Sequence, residues 1–394
     1  MKLLVAADSY FYKTPDGKYW CKTIYGYKFW KRYLKVFNEI VVVSRTKDVE
    51  TTKEVSGFIR VDGPGMSIAE LPPLRGMKEY ILNYGSLQKA AKKAVEDVDC
   101  ALIRLPSVSA FMILKYFQRK KTPFCLEVVA DPIDAYASNK IAQIYYTKKL
   151  KQATLEAKGT SYVTKEFLQK RYPSASMVYN DRLNYFESYY STIDLKEEFF
   201  FGPRKYKIKS GLFKLVHTAN SINSDVKGHK ELLLIVKDLI DRNLNVEVTF
   251  IGDGDKRNYF EEQAKRLNID KNIHFTGFLS SPSEIREVLL NSDMFVFPTK
   301  AEGLPRALIE AMATGLPCLS TNVNGIPELL SNEYLFNPLD VKGFSDKIEY
   351  LIKNPSLLNK MSEENGKKAL EYIDYKLEER RNEFYSKLKK ICEV

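Results

Sequence analysis

The chain has 394 residues, of which 44% are hydrophobic and 28% charged, so its composition excludes a disordered or low-complexity protein. Its length predicts two domains rather than one small binding module. The net charge of +11 is uneven, because residues 1–210 hold 36 Lys and Arg against 22 Asp and Glu, whereas residues 211–394 hold 25 against 28. The basic half therefore either meets an anionic partner or carries a lysine-rich solvated surface.

The N-terminus turns polar after about seven residues, too early for a signal peptide, and no run of about 18 apolar residues follows. A cytoplasmic protein is expected. Apolar runs that alternate with amphipathic stretches then predict a parallel sheet covered by helices, with strands near 2–7, 39–45, 101–106, 126–131 and 161–165. Residues 10–25 read as a polar, aromatic loop with a turn at Pro15-Asp16-Gly17.

The stretch 22–37 interleaves cations with aromatic residues, and a second basic group comprises Lys115, Arg119, Lys120 and Lys121. This combination suits the surface of an anionic membrane, on which the protein would be peripheral. A partly buried first helix with a lysine-rich outer side explains the stretch equally well. The sequence leaves both interpretations open.

The Gly-, Pro- and Lys-rich segment 196–211 predicts a domain linker, after which the strand and helix pattern restarts. The predicted division is 1–205, 206–374 and a terminal helix at 375–394. The second series predicts strands near 213–219, 246–253, 273–278, 294–299, 317–321 and 334–338. Two doubly wound α/β domains in tandem are therefore expected.

Two turns in the second half have the character of ligand loops. Lys227-Gly228 stands where a polar loop follows a strand and opens a helix, so its lysine can meet a phosphate, or it is simply solvated. Gly252 and Gly254 flank a strand end and allow close approach to a ligand, but the third glycine of a dinucleotide fingerprint is missing. Five scattered cysteines and three histidines indicate no disulfide framework and no metal site.

The most informative segment spans 298–330. After a predicted strand, Gly303-Leu304-Pro305 places a proline at the expected first helical position, so that the positive helix end faces the cleft. Glu302 lies just outside this helix and Glu310 inside it. About 12 Å would separate them on a helix, which suits the two ends of one extended ligand better than the two sides of a glycosidic bond. Turn and surface positions are the alternative for the two glutamates, although the apolar surroundings of Glu310 oppose it.

These motifs, together with HFTGF at 274–278 and NGIPELL at 324–330, resemble the C-terminal donor domain of family 4 glycosyltransferases. The resemblance covers about 120 residues in order and spacing. It implies a GT-B fold, in which two Rossmann-like domains face a cleft and the last helix returns to the N-terminal domain. It also implies transfer with retention of configuration, without a metal or cofactor, from a UDP- or GDP-sugar. The leaving diphosphate would accept the proton of the attacking hydroxyl, so the protein would supply positioning and charge stabilisation.

The resemblance also implies roles for individual residues. Glu302 would contact the donor sugar, Glu310 the ribose and Lys227 the diphosphate. Arg306 would lie at the positive start of the helix, near the phosphates. The remaining donor-side residues implied are Gly303, Leu304, Pro305, Asn220, Ser221, Gly252, Gly254 and Phe278.

Departures from the family pattern concern the phosphates and the first domain. Ser221 stands where many members carry an arginine of the diphosphate clamp, for which Arg306, His229 or Lys230 could compensate. Asp131 ends a strand at the place of a polar pair near the reacting sugars, or caps a helix instead. The acceptor-side loop with Asp16 and Gly17 has one glycine where relatives have several.

The function expected from these observations is glycosyl transfer to a glycan or lipid-linked saccharide in the synthesis of a surface polysaccharide. Two alternatives differ in class. A GT-B nucleotide-sugar epimerase or hydrolase would need an acid and base constellation, and a non-catalytic carbohydrate or nucleic-acid binder would use the basic half. Nucleic-acid binding predicts a steep dependence on salt, whereas a transferase binds a free nucleoside diphosphate.

Overall fold

A computed structural model describes residues 1–207, 211–279 and 281–393. The chain divides into two compact units. The first comprises Met1–Val163, Leu168–Tyr190 and the chain from Glu378 onward, and the second comprises Thr164–Phe167 and Ser191–Leu377. The second unit thus begins ahead of residue 206, because the segment before its first strand packs on it: the Arg204 side chain donates to the carbonyls of Thr314 and Ser292.

The first unit is built on a sheet whose strands are β1 (Lys2–Lys13), β2 (Tyr19–Cys21), β3 (Glu39–Asp48), β4 (Ile59–Arg60), β5 (Met66–Leu71), β6 (Cys100–Leu105), β7 (Phe124–Val128), β8 (Gly159–Tyr162) and β9 (Phe186–Tyr189). Its parallel part runs in the order β5-β3-β1-β6-β7-β8-β9, and the antiparallel β2 and β4 extend it beside β1. This is a doubly wound order, in which the first strand lies at the centre.

The helices around this sheet are α1 (Tyr27–Trp30), α2 (Gly76–Leu82), α3 (Tyr84–Ala94), α4 (Val108–Lys120), α5 (Pro132–Ala135), α6 (Lys140–Glu156), α7 (Phe167–Arg171) and α8 (Ala175–Tyr179). The loop predicted for residues 10–25 is wrong in part. β1 continues to Lys13 because β3 pairs with it along that length, and β2 folds back against its end. Three consecutive aromatic residues, Tyr10, Phe11 and Tyr12, were the missed strand signal.

The stretch 22–37 is not a membrane surface in its aromatic part. Phe29, Trp30, Tyr33 and Phe37 are buried, with Trp30 and Tyr33 fully inaccessible. Its lysines point outward, so the stretch is a partly buried helical segment with a basic outer side, which was the alternative interpretation.

The second unit contains a six-stranded parallel sheet of β10 (Phe213–Ser221), β11 (Val246–Asp253), β12 (Ile273–Gly277), β13 (Met294–Phe297), β14 (Cys318–Thr321) and β15 (Leu335–Phe336). The strand order is β12-β11-β10-β13-β14-β15. Its helices are α9 (His229–Asp241), α10 (Arg257–Arg266), α11 (Pro282–Leu290), α12 (Arg306–Ala313), α13 (Val341–Lys353) and α14 (Pro355–Ala369). Apolar strands covered by helices on both faces give one continuous core, as the sequence pattern predicts.

The last helix, α15 (Asp374–Cys392), returns to the first unit. Phe384, Tyr385 and Leu388 are buried on one of its faces. The Tyr385 hydroxyl donates to the buried Glu127 carboxylate at 2.9 Å, and the Tyr385 ring lies 5.0 Å from that of Tyr33. The predicted return of the terminal helix is therefore confirmed.

Candidate active site

The two central strands of the second sheet, β10 and β13, are neighbours whose connections lead to opposite sides of the sheet. A doubly wound sheet opens a crevice at the carboxyl ends of such a pair, and ligands bind there. In this unit the crevice is bordered by the loops 222–228 and 298–305, which hold Lys227 and Glu302.

Backbone contacts lock these two loops together. The Lys300 N–H donates to the Val226 carbonyl at 2.8 Å, and the Thr299 hydroxyl donates to the same oxygen at 3.1 Å. Gly228 has a φ of +79°, and a Cβ on it would lie 2.1 Å from the Pro298 carbonyl oxygen. Only glycine fits there, so the lysine before it is held in a fixed place beside the second loop.

Lys227 and Glu302 form an ion pair across the crevice, with side-chain exposures of 32% and 15%. Asn324 supports this arrangement from below, because its side-chain amide donates to the Glu302 carbonyl at 2.6 Å. The Gly325 N–H donates to the Gly303 carbonyl at 3.2 Å. The pair places a cation and a carboxylate side by side at the crevice, and each compensates the charge of the other.

Helix α12 begins at Arg306, directly behind this pair. Pro305 precedes the helix instead of occupying its first position as predicted, since its ψ of 111° is extended. Leu304 and Pro305 are buried and Gly303 is half-buried. The free N–H groups of the first turn carry the positive end of the helix dipole, which favours an anion at this place.

Glu310 lies one turn inside α12 and is partly exposed. Burial raises the pKa of its carboxyl to about 7, and the nearby charge of Arg306 opposes this rise only in part. No salt bridge within 4 Å reaches Glu310 from the part of the chain that the structure describes. A carboxyl without a partner in such surroundings is typical of a group that meets a ligand.

The glycines of the β11 turn have a structural reason. A Cβ on Gly252 would lie 1.8 Å from the Ala219 carbonyl oxygen, and one on Gly254 would lie 2.4 Å from the Asn223 side chain. The turn passes directly over the end of β10, where the Ile222 N–H donates to the Asp253 carbonyl at 2.9 Å. Close approach of two protein backbones requires these glycines, and their predicted contact with the donor stays a prediction.

Three further residues for which a donor-side role is predicted lie at the surface of this unit. Asn220 and Ser221 end β10 and are exposed, and Phe278 follows β12 with 63% of its surface exposed. Each ends or follows a strand at its carboxyl end, the edge that also carries Lys227. An exposed aromatic ring at that edge can stack on a flat base.

His229 does not replace the missing clamp arginine. It is fully buried together with His217, the two ring centroids being 4.5 Å apart, and burial lowers the pKa of His229 to about 4. His217 instead bonds the Lys227 carbonyl through Nε2 at 2.7 Å. The pair therefore stays neutral and supports the lysine loop from inside. Sequence reasoning missed His217, although a histidine within an apolar strand was a visible signal.

Glu328 has a role that the motif did not reveal. Its carboxylate accepts from the backbone N–H groups of Lys165, Glu166 and Phe167 at 2.5, 3.0 and 2.7 Å. Residues 164–167 are thereby tied to the second unit. Gly325 contributes to this packing, since a Cβ there would meet the Thr164 side chain at 2.7 Å.

In the first unit, Asp131 caps a helix. Its Oδ1 accepts from the Ile133 N–H at 2.9 Å and from the Tyr172 hydroxyl at 2.6 Å, and Oδ2 pairs with Arg171 at 3.0 Å. Only 2% of the residue is exposed. The helix-capping alternative describes its contacts, and a catalytic role stays a prediction.

Asp16 and Gly17 lie in the exposed turn between β1 and β2. Asp16 accepts from the Thr14 hydroxyl at 2.5 Å and pairs with Lys18 at 2.7 Å. The Gly17 N–H donates to the Thr14 carbonyl at 2.9 Å. These contacts close the turn on itself, and its predicted acceptor-side role stays untested.

Across residues 1–207, 211–279 and 281–393, no group of three or more His, Cys, Asp or Glu side chains is arranged to hold a metal ion. Within the same ranges no helix is both long and apolar enough to cross a membrane. Transfer without a metal stays a prediction.

Residues 211–368 match the family model described as Glycosyl transferases group 1. The matched region includes both Lys227 and Glu302. Over 372 residues the chain is 28% identical to Protein CapJ of Staphylococcus aureus, covering 93% of this chain and 89% of that protein.

Two more comparisons concern a relative and a solved structure. A 131-residue alignment, 32% of this chain and 33% of the relative, is 32% identical to UDP-Gal:alpha-D-GlcNAc-diphosphoundecaprenol alpha-1,3-galactosyltransferase of Escherichia coli. The structure of Anabaena HepE in complex with UDP and glucose superposes with a TM-score of 0.65 at 15% identity, over 98% of this chain and 99% of that one. The predicted GT-B fold is confirmed, and assignment to family 4 stays a prediction.

Proposed function

We propose that the protein transfers a sugar from a UDP-sugar to a glycan or lipid-linked saccharide in the synthesis of a surface polysaccharide. The observation that carries the proposal is the Lys227–Glu302 pair at the switch point of the second sheet, in front of the first turn of α12. UDP is favoured over GDP because the similar HepE structure holds UDP and glucose. The similar galactosyltransferase is named for a diphosphoundecaprenol-linked acceptor, which favours a lipid-linked one here.

In this proposal the diphosphate lies between Lys227 and the first turn of α12, with Arg306 as the second cation in place of the arginine missing at Ser221. Among the described residues Arg306 forms no salt bridge within 4 Å, so its charge is available. Glu302 exchanges its contact with Lys227 for hydroxyls of the sugar, and Glu310 accepts from the ribose hydroxyls.

The acceptor oxygen then forms a bond to the anomeric carbon on the face from which the diphosphate oxygen departs. The acceptor proton passes to that diphosphate oxygen, so the configuration is retained and no protein nucleophile is needed. Lys227, Arg306 and the helix end stabilise the charge that builds up on the leaving group. Neither a divalent cation nor another cofactor enters this scheme.

Calorimetric titration with UDP, GDP and ADP tests the donor site. We expect saturable binding of UDP, and Lys227→Ala should weaken UDP far more than uridine, because uridine has no phosphate. Glu310→Ala should weaken both ligands. Lys342→Ala, a variant of an exposed lysine paired with Asp346 on α13, is the control and should bind UDP like the parent protein.

If Lys227→Ala and Glu310→Ala both bind UDP as tightly as the parent protein, this site is refuted. Incubation with UDP-sugars and a saccharide–lipid acceptor tests the transfer itself, with the anomeric configuration of the product read by NMR. An inverted product, or activity abolished by a chelator and restored by a divalent cation, would contradict the mechanism proposed here.

A further inference from the structure

Apolar side chains stand exposed on two helices of the first unit. On α2, Ile81 and Leu82 are 68% and 83% exposed, and on α6, Ile141 and Ile144 are 80% and 72% exposed. Single exposed apolar residues are ordinary, but a cluster of them marks an interaction surface.

These helices border one groove together with α3 and α4. The groove has a volume of about 620 Å³, and its walls include Ile81, Phe111, Met112 and Tyr145. The Phe111 ring stacks on that of Tyr146 with centroids 5.0 Å apart, so the floor is aromatic. An apolar groove continuous with exposed isoleucines is the first property of this surface, which we term the α2–α6 face.

The sequence of α6 extends this face along the helix. Ile141, Ile144, Tyr145, Lys148 and Lys149 follow the spacing of one helical side, and all five are exposed. The opposite side of α6 is buried in the first unit through residues such as Ala142 and Leu150. Since the inner side already supplies the packing of the helix, the outer apolar residues are not needed for the fold of this unit.

The helices that form the face are strongly basic. Helices α2, α3, α4 and α6 together hold eleven Lys or Arg residues and two Glu residues, a net charge of +9, against +11 for the whole chain. Lys115 and Lys149 lie on the groove itself. A surface that is both apolar and cationic matches an interface that is apolar inside and anionic outside, as the surface of an anionic bilayer is.

The position of the face in the fold agrees with this partner. Helix α2 follows β5, and α6 follows β7 after the short α5, so the exposed isoleucines lie toward the carboxyl ends of the strands. Ligands of doubly wound sheets bind at that edge. A saccharide carried by a membrane lipid would therefore reach the first unit at the edge where its binding is expected.

We propose that the α2–α6 face docks on the surface of an anionic phospholipid bilayer, with Ile81, Ile141 and Ile144 inserted among the lipids and the surrounding lysines on the headgroups. The proposal rests on the proposed function only in giving that function a membrane-borne acceptor. A second copy of the chain is a poorer occupant, because a symmetric contact would bring Lys115, Lys148 and Lys149 of one copy toward the same lysines of the other.

Flotation of the full chain with vesicles tests this proposal. We expect binding to phosphatidylcholine vesicles that contain phosphatidylglycerol, weakened by added salt, and little binding to phosphatidylcholine alone. Ile141→Ser/Ile144→Ser and Lys148→Glu/Lys149→Glu should each reduce binding at least about tenfold. Leu339→Ser, which changes an apolar residue of the second unit that is 72% exposed, should bind like the parent protein.

Each contrary result overturns the proposal: no flotation, equal flotation without the anionic lipid, or retention of binding by both double variants. Sedimentation equilibrium without vesicles tests a further contrary result. If the parent protein forms dimers and Ile141→Ser/Ile144→Ser does not, the occupant of the face is a second copy of the chain. UDP titration on the same preparations separates the two hypotheses. If the parent protein binds UDP but not vesicles, only the membrane face is refuted. If it binds vesicles but not UDP, only the donor site is refuted.

Discussion

The two sheets share a strand order but differ in the connection that leaves their first strand. In the second unit β10 ends at Ser221, and the short loop 222–228 leads into α9, a helix of 13 residues. In the first unit β1 runs on to Lys13 and folds back as a hairpin, and α1 has only four residues. The same topology thus carries an open crevice beside Lys227 in one unit and a closed turn in the other.

The difference shows that the strand order creates a crevice in a sheet, whereas the loop after the first strand determines which groups line it. In the second unit a left-handed Gly228 holds Lys227 against Glu302 at a helix start. In the first unit the equivalent turn satisfies its own polar groups, since Asp16 is bound by Thr14 and Lys18. Donor chemistry is therefore expected from the second unit, and the first is left to bind the acceptor.

The largest difference in stability between the two turns is expected when one glycine in each is replaced by alanine. Gly228→Ala places a Cβ 2.1 Å from a backbone oxygen at a φ of +79°, so we expect a loss of about 4 kcal/mol or more. Gly17→Ala at a φ of +77° meets nothing within 4 Å and should cost about 1 kcal/mol, the strain of a left-handed residue alone.

Urea unfolding can assign each loss to its unit, because both tryptophans, Trp20 and Trp30, lie in the first unit. Gly17→Ala should shift the tryptophan transition slightly. Gly228→Ala should shift the far-UV transition of the second unit by much more. Equal losses in the two variants would contradict the interlocked loop.

Lys227→Ala should have the next largest effect. Removal of a cation that stabilises a leaving diphosphate costs about a hundredfold or more in turnover. Folding should be nearly unchanged, because the lysine side chain is partly exposed and, within the part of the chain that the structure describes, its salt bridge is with Glu302. Initial rates with a saturating UDP-sugar check the result, with Lys342→Ala as the matched control. A rate within threefold of the parent protein, on the scale of ordinary surface substitutions, would leave Lys227 without a catalytic part.

Much of this candidate site could be predicted from the sequence, because its parts lie in local strand–turn–helix segments. The sequences at Lys227-Gly228 and at 302–310 each predict a loop that leads into a helix. The strand order places both loops at one crevice. The ion pair between Lys227 and Glu302 was not predictable. It depends on contacts between residues about 75 positions apart, which no local pattern reports.

The first unit was less predictable for the same physical reason. Strand β5 (Met66–Leu71) has partly exposed residues and lies at the edge of the parallel part of the sheet, so its apolar pattern is weak. The aromatic residues of 22–37 could face lipid or core equally well from composition alone. Tyr33 of this stretch packs against Tyr385, which belongs to the far end of the chain.

Asp131 distinguishes a cap from a catalytic group in the first unit. Asp131→Ala removes a helix cap and the hydrogen bond that the buried Tyr172 hydroxyl donates to Asp131, so we expect a loss of about 2–3 kcal/mol. Asp131→Asn keeps one side-chain oxygen for the cap and should lose about 1 kcal/mol through the weaker contact with Arg171. Thermal unfolding of both variants gives the two values.

Transfer rates of Asp131→Asn complete this test. If the residue is only a cap, the variant transfers sugar at nearly the parent rate. A variant that is folded and stable but slower by about a hundredfold would instead make the Asp131 carboxylate part of the chemistry.

The smallest effect is expected at Glu310. Its surroundings differ from those of Asp131, the carboxyl of the first unit. Asp131 is buried with three partners, whereas Glu310 has a pKa raised to about 7 by burial. An acid with a raised pKa binds its proton more tightly in the folded state than in the unfolded state, where the pKa is 4.5. The stability of the protein should therefore fall as the pH rises from about 4.5 through 7.

Glu310→Gln removes this titration, because the amide carries no proton to lose. The variant should match the parent protein near pH 4 and exceed its stability by about 1–2 kcal/mol at pH 8, less than the full shift implies since the side chain is partly exposed. Unfolding midpoints measured across this range check the sign. A variant that is less stable than the parent protein at pH 8 would mean that the ionised carboxylate has a stabilising partner, and the carboxyl would then not be free to accept from a ribose.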